Sequence, residues 1–504
     1  MKTKDENSNI LLNVAIKYVK RNILNIFLYI GFNFLLLFIG IINPKISGEY
    51  INALIDKTCD KTVYYYVKIF IILSFMNVVF YYLIRIIQKR LSINFKCIIE
   101  KKLISIIMGK QIGELQSNGA SFLTQKMVQS TQIIIDFWIY LVNLGIKIIQ
   151  TIIIVYLLYF ISTKIFSVLA ILIPIYVIIY LLLKRKIYKT NYKVQCFNTE
   201  LFVELKQQIE NVKTIRCLSI FSYFEKRLND KYMHFSKAAL ANNRLSAIFL
   251  SLNLIVNKSA TIIVFFFGGR QVIIGTLSLG YYTVLMSYFS SVMEGLTAFF
   301  AFANEYEKYI VAKKRIGEIL SISNDVEGNI YINSVNNIQI NKLTYEIDGK
   351  KVIDSLSYSF NKGYLYCIKG KNGAGKSTFI DIILGLVSDY SGDIFVEGHE
   401  LRSICREHYR KKYVSVLFQS SLLFDGTIEE NLFFDKKGRE AKLYRLVETL
   451  GFGDIWGEKG MKYIINEKNS NLSGGERQKI LLLRTLQKEC DLLILDEPTS
   501  WLVY

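Results

Sequence analysis

The sequence predicts a multidomain protein in which an all-α, polytopic membrane domain of six transmembrane helices with long cytosolic extensions precedes an α/β domain. Two observations predict this fold class. Six apolar segments, each long enough to cross the ~30 Å hydrocarbon core of a bilayer, crowd the first three fifths of the 504 residues. Beyond residue 331 the pattern changes to short apolar runs separated by turn residues, which is typical of strands in an α/β domain.

The charge and the cysteines narrow the function classes. The formal net charge is +20, which in a soluble protein suggests a nucleic-acid partner. Here the apolar segments favour another interpretation, because Lys and Arg accumulate in the cytoplasmic loops of membrane proteins. No nucleic-acid partner is therefore expected. The seven cysteines lack C-x-x-C spacing, so neither a zinc site nor a disulfide framework is predicted.

The N-terminal segment, residues 1–20, is polar and mixed in charge. Residues 11–20 have the pattern of an amphipathic helix that lies on the membrane surface in contact with lipid. A signal peptide is less favoured, because the apolar run that follows is too long for an h-region and no small-residue cleavage site is present.

The predicted transmembrane domain covers residues 21–310. Its six apolar segments lie near residues 23–43, 65–88, 135–160, 164–183, 245–268 and 272–303. Short connections at 44–64, 161–163 and 269–271 carry few basic residues, whereas the other two are long and basic. The positive-inside rule therefore places both termini and both long loops in the cytoplasm of a multi-pass protein of the cell membrane.

The two long loops are themselves predicted to be helical. Apolar residues recur at helical spacing through 99–108 and 202–220, so the membrane helices continue into the cytosol. Each loop has a reversal point, at 111–119 and at 218–225, where a short helix is expected.

Four polar residues fall in the last two apolar segments: Asn253, Asn257, Lys258 and Glu294. Polar groups are costly in a bilayer and usually face a cavity or a partner helix. They either line a polar path through the membrane, which Lys258 and Glu294 would share, or lie near the interface and extend into it. The sequence favours neither interpretation.

Residues 311–330 form the predicted linker, with a helix at 312–320 and a polar turn at 321–329. The α/β domain covers 331–504. It begins with a β-hairpin in which residues 338–345 and 351–360 pair across the turn Asp348-Gly349. Tyr345 on this hairpin either stacks on a nucleotide base or is an ordinary strand aromatic.

The most specific local motif is the run from Gly370 to Ser377, which has the P-loop form G-x-x-x-x-G-K-[ST]. A strand predicted at 364–368 and a helix predicted at 378–384 give the α/β P-loop NTPase setting in which backbone N–H groups bind phosphate. Lys376 is expected on the β- and γ-phosphates, and Ser377 on Mg²⁺. The residues assigned to nucleotide here are Gly370, Asn372, Gly373, Gly375, Lys376, Ser377 and Thr378. A chance match to a glycine-rich turn is the alternative.

Three further motifs follow the P-loop. Gln419 ends a strand predicted at 413–418. The run 471–478 opens a helix, and its start at Ser473, Gly474 and Gly475 exposes backbone N–H groups for an anion. Asp496 and Glu497 follow a buried strand predicted at 492–495, a position that suits Mg²⁺ and an attacking water.

The P-loop, Gln419, LSGGE at 472–476 and LLILDEPTS at 492–500 occur in the order and rough spacing of ATP-binding cassette (ABC) proteins. LSGGE is the discriminating element, because other P-loop ATPases lack it. With six membrane segments ahead of one cassette, nearly the whole chain resembles an exporter-type ABC half-transporter. The two reversal points match the coupling helices of that family.

The resemblance implies a role for each motif residue. Tyr345 would stack on adenine, and Lys376, Ser377 and Thr378 match the Walker A positions. Ser473 and Gly475, with Gly474 between them, would contact ATP on the opposite cassette. Gln419 would contact Mg²⁺ and the coupling helices, Asp496 would ligate Mg²⁺, and Glu497 would be the general base.

The resemblance also implies ATP and Mg²⁺ as cofactors and ATP-driven export across the cytoplasmic membrane. The partner would be a second half-transporter, in a homodimer or heterodimer, because the P-loop and signature surfaces must meet across an interface. Lipid, drug and peptide stay open as the exported substrate, with peptide mildly favoured.

Two features depart from the family pattern. The D-loop aspartate is expected after Ser500, where the sequence has Trp501–Tyr504, and no later histidine can serve as the switch histidine. We therefore expect a cassette that is incomplete at its C-terminus and hydrolyses little ATP alone. Two alternatives stay open: a catalytically impaired subunit of a heterodimeric exporter, and a non-functional truncated product.

Overall fold

The computed structural model of the chain describes residues 13–56, 60–347, 349–434, 440–453, 460–466 and 471–498. These residues form two compact units: the first comprises the chain up to Ser323 without Gln111–Gly113, and the second comprises Gln111–Gly113 and the chain from Asn324. The first unit consists of helices, and the second combines strands with helices. This is the order of fold classes that the sequence predicts.

Among the described residues up to Ser323, six helices are long and three are short. The long ones are α2 (Ile23–Ile55), α3 (Asp60–Ile107), α5 (Ala120–Ile161), α6 (Thr163–Glu210), α8 (Phe221–Ile273) and α9 (Leu279–Leu320). The short ones are α1 (13–21), α4 (Ile112–Asn118) and α7 (Val212–Cys217). The long helices have 33 to 53 residues, more than the roughly 20 that cross a bilayer. The predicted continuation of the helices beyond the apolar segments is confirmed.

Four of the long helices, α2, α3, α5 and α8, contain a stretch that is long and apolar enough to cross a membrane. Helices α6 and α9 contain most of the remaining two predicted segments, so the number of six spans stays a prediction. The connection predicted at 269–271 is wrong, because α8 continues to Ile273. The chain reverses instead at Gly275, whose φ of 78° favours glycine, and the Ser278 side chain caps α9.

Of the two reversals between long helices, the first has its short helix where the sequence predicts it and the second does not. Helix α4 lies where residues 111–119 predict a short helix. In the second reversal the prediction is displaced, because the short helix α7 ends at Cys217, before the predicted range 218–225. Ser219 has a φ of 53°, which is incompatible with a continuing helix, and α8 begins at Phe221. Residues 218–220 therefore form the bend itself.

Small residues let the long helices of the first unit approach closely. A Cβ atom added at Gly48 of α2 would lie 2.7 Å from the carbonyl oxygen of Gly280 and 2.3 Å from Cγ2 of Val284, both in α9. One added at Gly295 of α9 would lie 2.0 Å from Oγ1 of Thr151 in α5. Small residues at helix crossings are a frequent feature of membrane helix packing. A buried apolar cluster joins α5, α6, α8 and α9.

Two residues near the start of α4, Lys110 and Glu114, form hydrogen bonds with the C-terminal end of α9 and the residues that follow it. The buried Lys110 donates from Nζ to the carbonyl oxygens of Leu320 at 2.7 Å and Ile322 at 2.5 Å. These are carbonyl groups that a helix end leaves without intrahelical partners. Glu114 accepts hydrogen bonds from the hydroxyl and backbone N–H of Ser323, and these contacts lower the pKa of its carboxyl group. The helix predicted at 312–320 is therefore the last part of α9 rather than a separate element.

The second unit contains an antiparallel sheet and two short strand pairs among its described residues. The sheet has the order β2-β1-β3-β4, the pair β5–β8 is parallel, and the pair β6–β7 is antiparallel. The strands are β1 (Asn337–Ile347), β2 (Lys350–Asn361), β3 (Ser391–Val396), β4 (His399–Glu400), β5 (Val414–Leu417), β6 (Gly426–Thr427), β7 (Ile464–Ile465) and β8 (Leu492–Leu495). The helices are α10 (Lys376–Ile383), α11 (Arg406–Lys412), α12 (Ile428–Phe433), α13 (Glu440–Thr449) and α14 (Gly474–Leu486).

The predicted hairpin is confirmed, because β1 and β2 are antiparallel neighbours and Ile347 pairs with Lys350. Gly349 of its turn has a φ of 76°, whereas Asp348 lies outside the described residues. The apolar sides of this sheet, α10 and β5 pack into one buried core. The cassette core is thus built from the elements on either side of the glycine-rich loop.

The strand predicted at 364–368 is not observed. The segment pairs with no strand among the described residues, and the side chain of Leu365 is fully exposed. An apolar run becomes a strand only where a neighbouring strand takes up its backbone hydrogen bonds, and here β2 pairs with β1 while β5 pairs with β8. The strands predicted before Gln419 and before Asp496 are both present, although Leu493 and Leu495 of β8 are exposed rather than buried.

Candidate functional site

The glycine-rich loop is shaped by the backbone of its last residues. Gly373 and Gly375 have φ values of 81° and 84°, which side chains other than glycine rarely adopt. A Cβ added at Gly375 would lie 2.9 Å from both Cγ1 and the carbonyl oxygen of Val352, so β2 leaves room only for glycine. Gly375 is also the residue that precedes α10. The N–H groups at the start of that helix are therefore available to an anion.

Lys376, the first residue of α10, curls back over the loop. Its Nζ donates to the carbonyl oxygens of Gly370 at 2.9 Å and Lys371 at 3.1 Å. Asn372 is exposed and Thr378 is half-buried. The ammonium group and the helix N-terminus thus place positive charge at one end of α10, which is the arrangement that binds phosphate in a P-loop.

Two side-chain hydrogen bonds connect the acidic pair Asp496 and Glu497 to other motifs. One comes from the P-loop and the other from the segment that follows β5. Ser377 Oγ donates to Asp496 Oδ2 at 3.3 Å. Gln419 Nε2 donates to Glu497 Oε2 at 2.8 Å. Gln419 follows β5 and the acidic pair follows β8, and the carboxyl ends of parallel strands meet at the same edge of a sheet. Glu497 has a φ of 51°, a strained conformation of the kind that often occurs at functional sites.

Asp381 is a site residue that the sequence reasoning missed. It lies four residues after Ser377, and hence on the same face of α10. Burial, and secondarily the negative charge of the nearby Asp496, raises the pKa of its carboxyl group. The signal in the sequence was this i, i+4 spacing from a predicted magnesium ligand.

The residues present fit Mg²⁺. The hydroxyl of Ser377, the carboxylate of Asp496 and the amide oxygen of Gln419 are oxygen ligands, which Mg²⁺ prefers. Because Nε2 of Gln419 donates to Glu497, its amide oxygen is oriented away from that carboxylate. Among the described residues, no group of three or more His, Cys, Asp and Glu side chains is placed so that it could hold a metal ion by itself. A Mg²⁺ ion held by one carboxylate, one hydroxyl and one amide oxygen would complete its coordination with nucleotide phosphates and water.

Ile353 lies between Tyr345 and the P-loop. It pairs across the hairpin with Ile353, and Cγ1 of Ile353 would be 3.4 Å from a Cβ at Gly375. Tyr345 is half-buried and packs against the core. Beside the loop, a cavity of about 640 Å³ is lined by β2, residues 365–369 and the start of α10, a size in the range of small-molecule sites.

The glycine pair of the LSGGE run opens helix α14. Ser473 forms a capping box with Glu476, in which each side chain accepts from the other residue's backbone N–H. Gly474 and Gly475 are therefore the first residues of the helix. Gln478, one turn on, donates to the carbonyl oxygen of Pro498 at 2.9 Å, directly after Glu497. This bond links the helix to the acidic pair.

The polar residues of the last two apolar segments differ in burial and in their partners. Glu294 pairs with Lys147 of α5, with Oε2 and Nζ 3.3 Å apart. Lys258 is exposed and Asn253 is buried. That Lys258 and Glu294 share one polar cavity stays a prediction. Helices α5 and α9 approach closely at Gly295, next to Glu294, where an added Cβ would contact Thr151 of α5.

The apolar long helices and the P-loop site define the class: a membrane-integral protein with an attached nucleotide-binding domain. A family model described as the ABC transporter transmembrane region matches residues 26–296, and one described as ABC transporter matches residues 353–500. The chain therefore belongs to the ABC transporter family. Its activity is ATP hydrolysis coupled to transport.

The chain also resembles individual proteins, although the sequence identity to each of them is low. A putative export ATP-binding/permease protein of Rickettsia bellii is 23% identical, over 98% of this chain and 87% of its own length. A beta-(1→2)glucan export ATP-binding/permease protein of Bartonella bacilliformis is 25% identical, over 93% and 80%. A lactococcin-A transport/processing protein of Lactococcus lactis is 24% identical, over 67% of this chain and 48% of its own length.

The fold itself matches a solved structure, that of a bacterial Atm1-family ABC exporter with ATP bound. The TM-score is 0.84 at 16% identity, and the match covers 96% of this chain and 86% of the other. At that identity the likeness concerns the fold, which is the fold of an exporter-type half-transporter.

Proposed function

We propose that the chain is one half of a dimeric exporter that hydrolyses ATP at the site around Lys376 and Glu497. The observation that carries this proposal is the pair of bonds from Ser377 to Asp496 and from Gln419 to Glu497. They bring together residues that are up to 119 positions apart in the chain and that match the Walker A, Q-loop and Walker B motifs. The export relatives support the direction of transport.

Each side chain has a distinct task in this proposal. Lys376 and the N-terminus of α10 bind the phosphates, and Tyr345 stacks on the adenine. Ser377, Asp496 and the amide oxygen of Gln419 would hold Mg²⁺, which supplies positive charge to the phosphate oxygens when it is bound. Glu497 takes a proton from the attacking water, and its bond from Gln419 orients the carboxylate.

The proposed exporter also has a defined membrane topology and assembles as a dimer. Residues 21–310 form the transmembrane domain with six spans, and 331–504 form the cassette, which lies in the cytoplasm with both termini. Ser473, Gly474 and Gly475 contact ATP held by the P-loop of a second cassette, which is the reason for a dimer. Peptide is the proposed substrate class, supported by the lactococcin transport relative. The glucan relative supports a carbohydrate instead.

The test uses the purified full-length chain in lipid nanodiscs. Glu497→Gln should lower ATP turnover on the order of 100-fold or more, because the water loses its base, and should leave ATP binding intact. Lys376→Ala should weaken ATP binding, because the phosphates lose a fixed positive charge. Glu489→Gln, at an exposed position of the same unit, is the matched control and should match the wild type. Wild-type turnover by the Glu497→Gln chain would refute the assigned role.

A further inference from the structure

A polar cavity lies within the first unit, between α2, α3 and α5. Its volume is about 280 Å³. Its polar lining comprises Asn33, Arg85, Gln88, Asn143, Lys147 and Gln150. All six of these residues fall inside the predicted apolar segments at 23–43, 65–88 and 135–160, and Gln88 is the last residue of the second segment. A cavity with this lining in a membrane domain differs from an ordinary helix contact, because polar groups at this depth are costly unless they serve a polar partner.

The charge of the cavity is positive. Arg85 donates from Nε and Nη2 to the hydroxyl of Tyr81, at 3.1 and 2.9 Å, and its guanidinium carbon lies 5.1 Å from that ring. Among the described residues no carboxylate forms a salt bridge with Arg85. Lys147 has a single carboxylate partner in that set, Glu294 at 3.3 Å. Glu294 does not line the cavity, and its side chain is 67% exposed.

The amide groups of the cavity are held in place. Asn143 accepts the hydroxyl of Tyr29 at its Oδ1, with the two oxygens 2.5 Å apart, so the amide NH₂ of Asn143 is turned away from Tyr29. Gln150 packs against Gly40, where a Cβ would lie 2.8 Å from its Nε2. Gly40 therefore makes room for the Gln150 side chain. The guanidinium, the ammonium and these amide N–H groups are hydrogen-bond donors.

We infer that this cavity binds an anionic group, a carboxylate or phosphate, of the molecule that the proposed exporter transports. Two cations with one carboxylate between them leave a net positive charge, and an anionic ligand would satisfy it. Donors fixed by Tyr81, Tyr29 and Gly40 suit planar or tetrahedral oxyanions, and Arg85 can bind such a group through two N–H bonds. The part of the inference that identifies the ligand as the transported molecule rests on the proposed function. The cavity and its charge do not depend on it.

The test measures binding without nucleotide, so that it is separate from ATP-driven export. The full-length chain is placed in phosphatidylcholine nanodiscs and titrated with N-octanoyl-aspartate and with its neutral diamide. We expect the anionic probe to bind more tightly than the diamide. Arg85→Gln and Lys147→Gln should each weaken binding of the anionic probe by about tenfold or more, because each removes a charge-assisted contact. Arg90→Gln, which removes a cation of α3 outside the cavity lining, should bind like the wild type.

A second arm identifies the source of the anionic group. Nanodiscs that also contain phosphatidylglycerol should reduce probe binding if a lipid headgroup occupies the cavity, and should leave it unchanged if the anion comes from a soluble substrate. Either result supports an anion site. Equal binding of the probe and the diamide, or wild-type binding by both Arg85→Gln and Lys147→Gln, would overturn the inference. Basal ATP turnover of the variants, measured in parallel, shows whether they are folded and reports separately on the proposed function.

Discussion

At the residue scale, short polar contacts in the second unit connect distant parts of the chain. Asp491, directly before β8, accepts hydrogen bonds from Lys362 Nζ at 2.7 Å and from the backbone N–H of Val335 at 3.1 Å. The bond from Lys362 is the main reason why the pKa of Asp491 lies below its usual range. These bonds join the strand that carries the acidic pair to residues that precede β1 and follow β2.

The lowered pKa of Asp491 predicts a dependence of stability on pH. A carboxyl group whose pKa is depressed in the folded state stabilises the fold above its unfolded pKa, roughly 3.9, and loses that contribution as the pH falls through the folded value. Asp491→Asn should therefore lower the stability of the cassette by about 0.5–1 kcal/mol at pH 7.

The difference between Asp491→Asn and the wild type should be constant from about pH 7 to pH 5 and shrink below about pH 4. Thermal unfolding of the detergent-solubilised chain, followed across that range, measures it. Asp393→Asn, at an exposed position of β3 in the antiparallel sheet, is the control. A difference that grew as the pH fell would contradict the assignment of a depressed pKa.

Asp381 shows how the environment of a single carboxyl group is set by its neighbours. Its pKa is raised, chiefly by burial, so the ionised form opposes folding. Asp381→Asn should raise the thermal midpoint of the nucleotide-free chain at pH 7, and this gain should disappear at a pH below about 4, where the wild-type carboxyl is also neutral. A lower midpoint for Asp381→Asn at pH 7 would show that the carboxylate has a stabilising partner.

At the scale of elements, close contacts between helices depend on residues without side chains. Replacing a helical glycine by alanine normally stabilises the helix by about 0.5–1 kcal/mol. At Gly48 the added methyl would meet Gly280 and Val284 of α9, so overpacking at a cost of about 1–3 kcal/mol should win.

The matched pair is Gly48→Ala and Gly31→Ala, both within α2. A Cβ at Gly31 meets no atom within 4 Å, so Gly31→Ala should be neutral or stabilising. The measurement is the thermal midpoint of the detergent-solubilised protein, followed by size-exclusion chromatography. Equal midpoints for the two variants would show that α2 and α9 do not depend on this contact.

At the scale of the whole molecule, the proposed topology separates two cysteines across the membrane. Cys217 lies at the end of α7, in the second long basic loop, and is exposed. Cys59 belongs to the first short connection and lies outside the described residues. The positive-inside rule predicts that Cys59 faces the exterior and Cys217 the cytoplasm.

A membrane-impermeant thiol reagent applied to intact cells should therefore label Cys59 and not Cys217. Variants that keep one of the two cysteines, with the other six replaced by serine, allow each to be followed alone. Cell lysis is the control, and should make Cys217 reactive. Labelling of Cys217 without lysis would reverse the proposed orientation.

The sequence by itself determined the fold class, the family and the order of the site motifs. Apolar length, charge asymmetry and the glycine pattern are local properties, so the six long helices, α4, the hairpin and the helix after LSGGE could all be predicted from short windows. Local signals could not place every boundary. The bend at Gly275 and the helix ending at Cys217 depend on where backbone conformation interrupts an otherwise continuous pattern.

The tertiary structure decided which side chains meet. Glu294 of α9 pairs with Lys147 of α5, a contact that the sequence did not predict. Asp381 joins the site because α10 carries it one turn beyond Ser377. Residues 364–368 form no strand, since a strand needs a neighbour and not only an apolar sequence. The physical reason is the same in each case: pairing is set by three-dimensional proximity between residues far apart in the chain, and a sequence pattern reports only on its own neighbours.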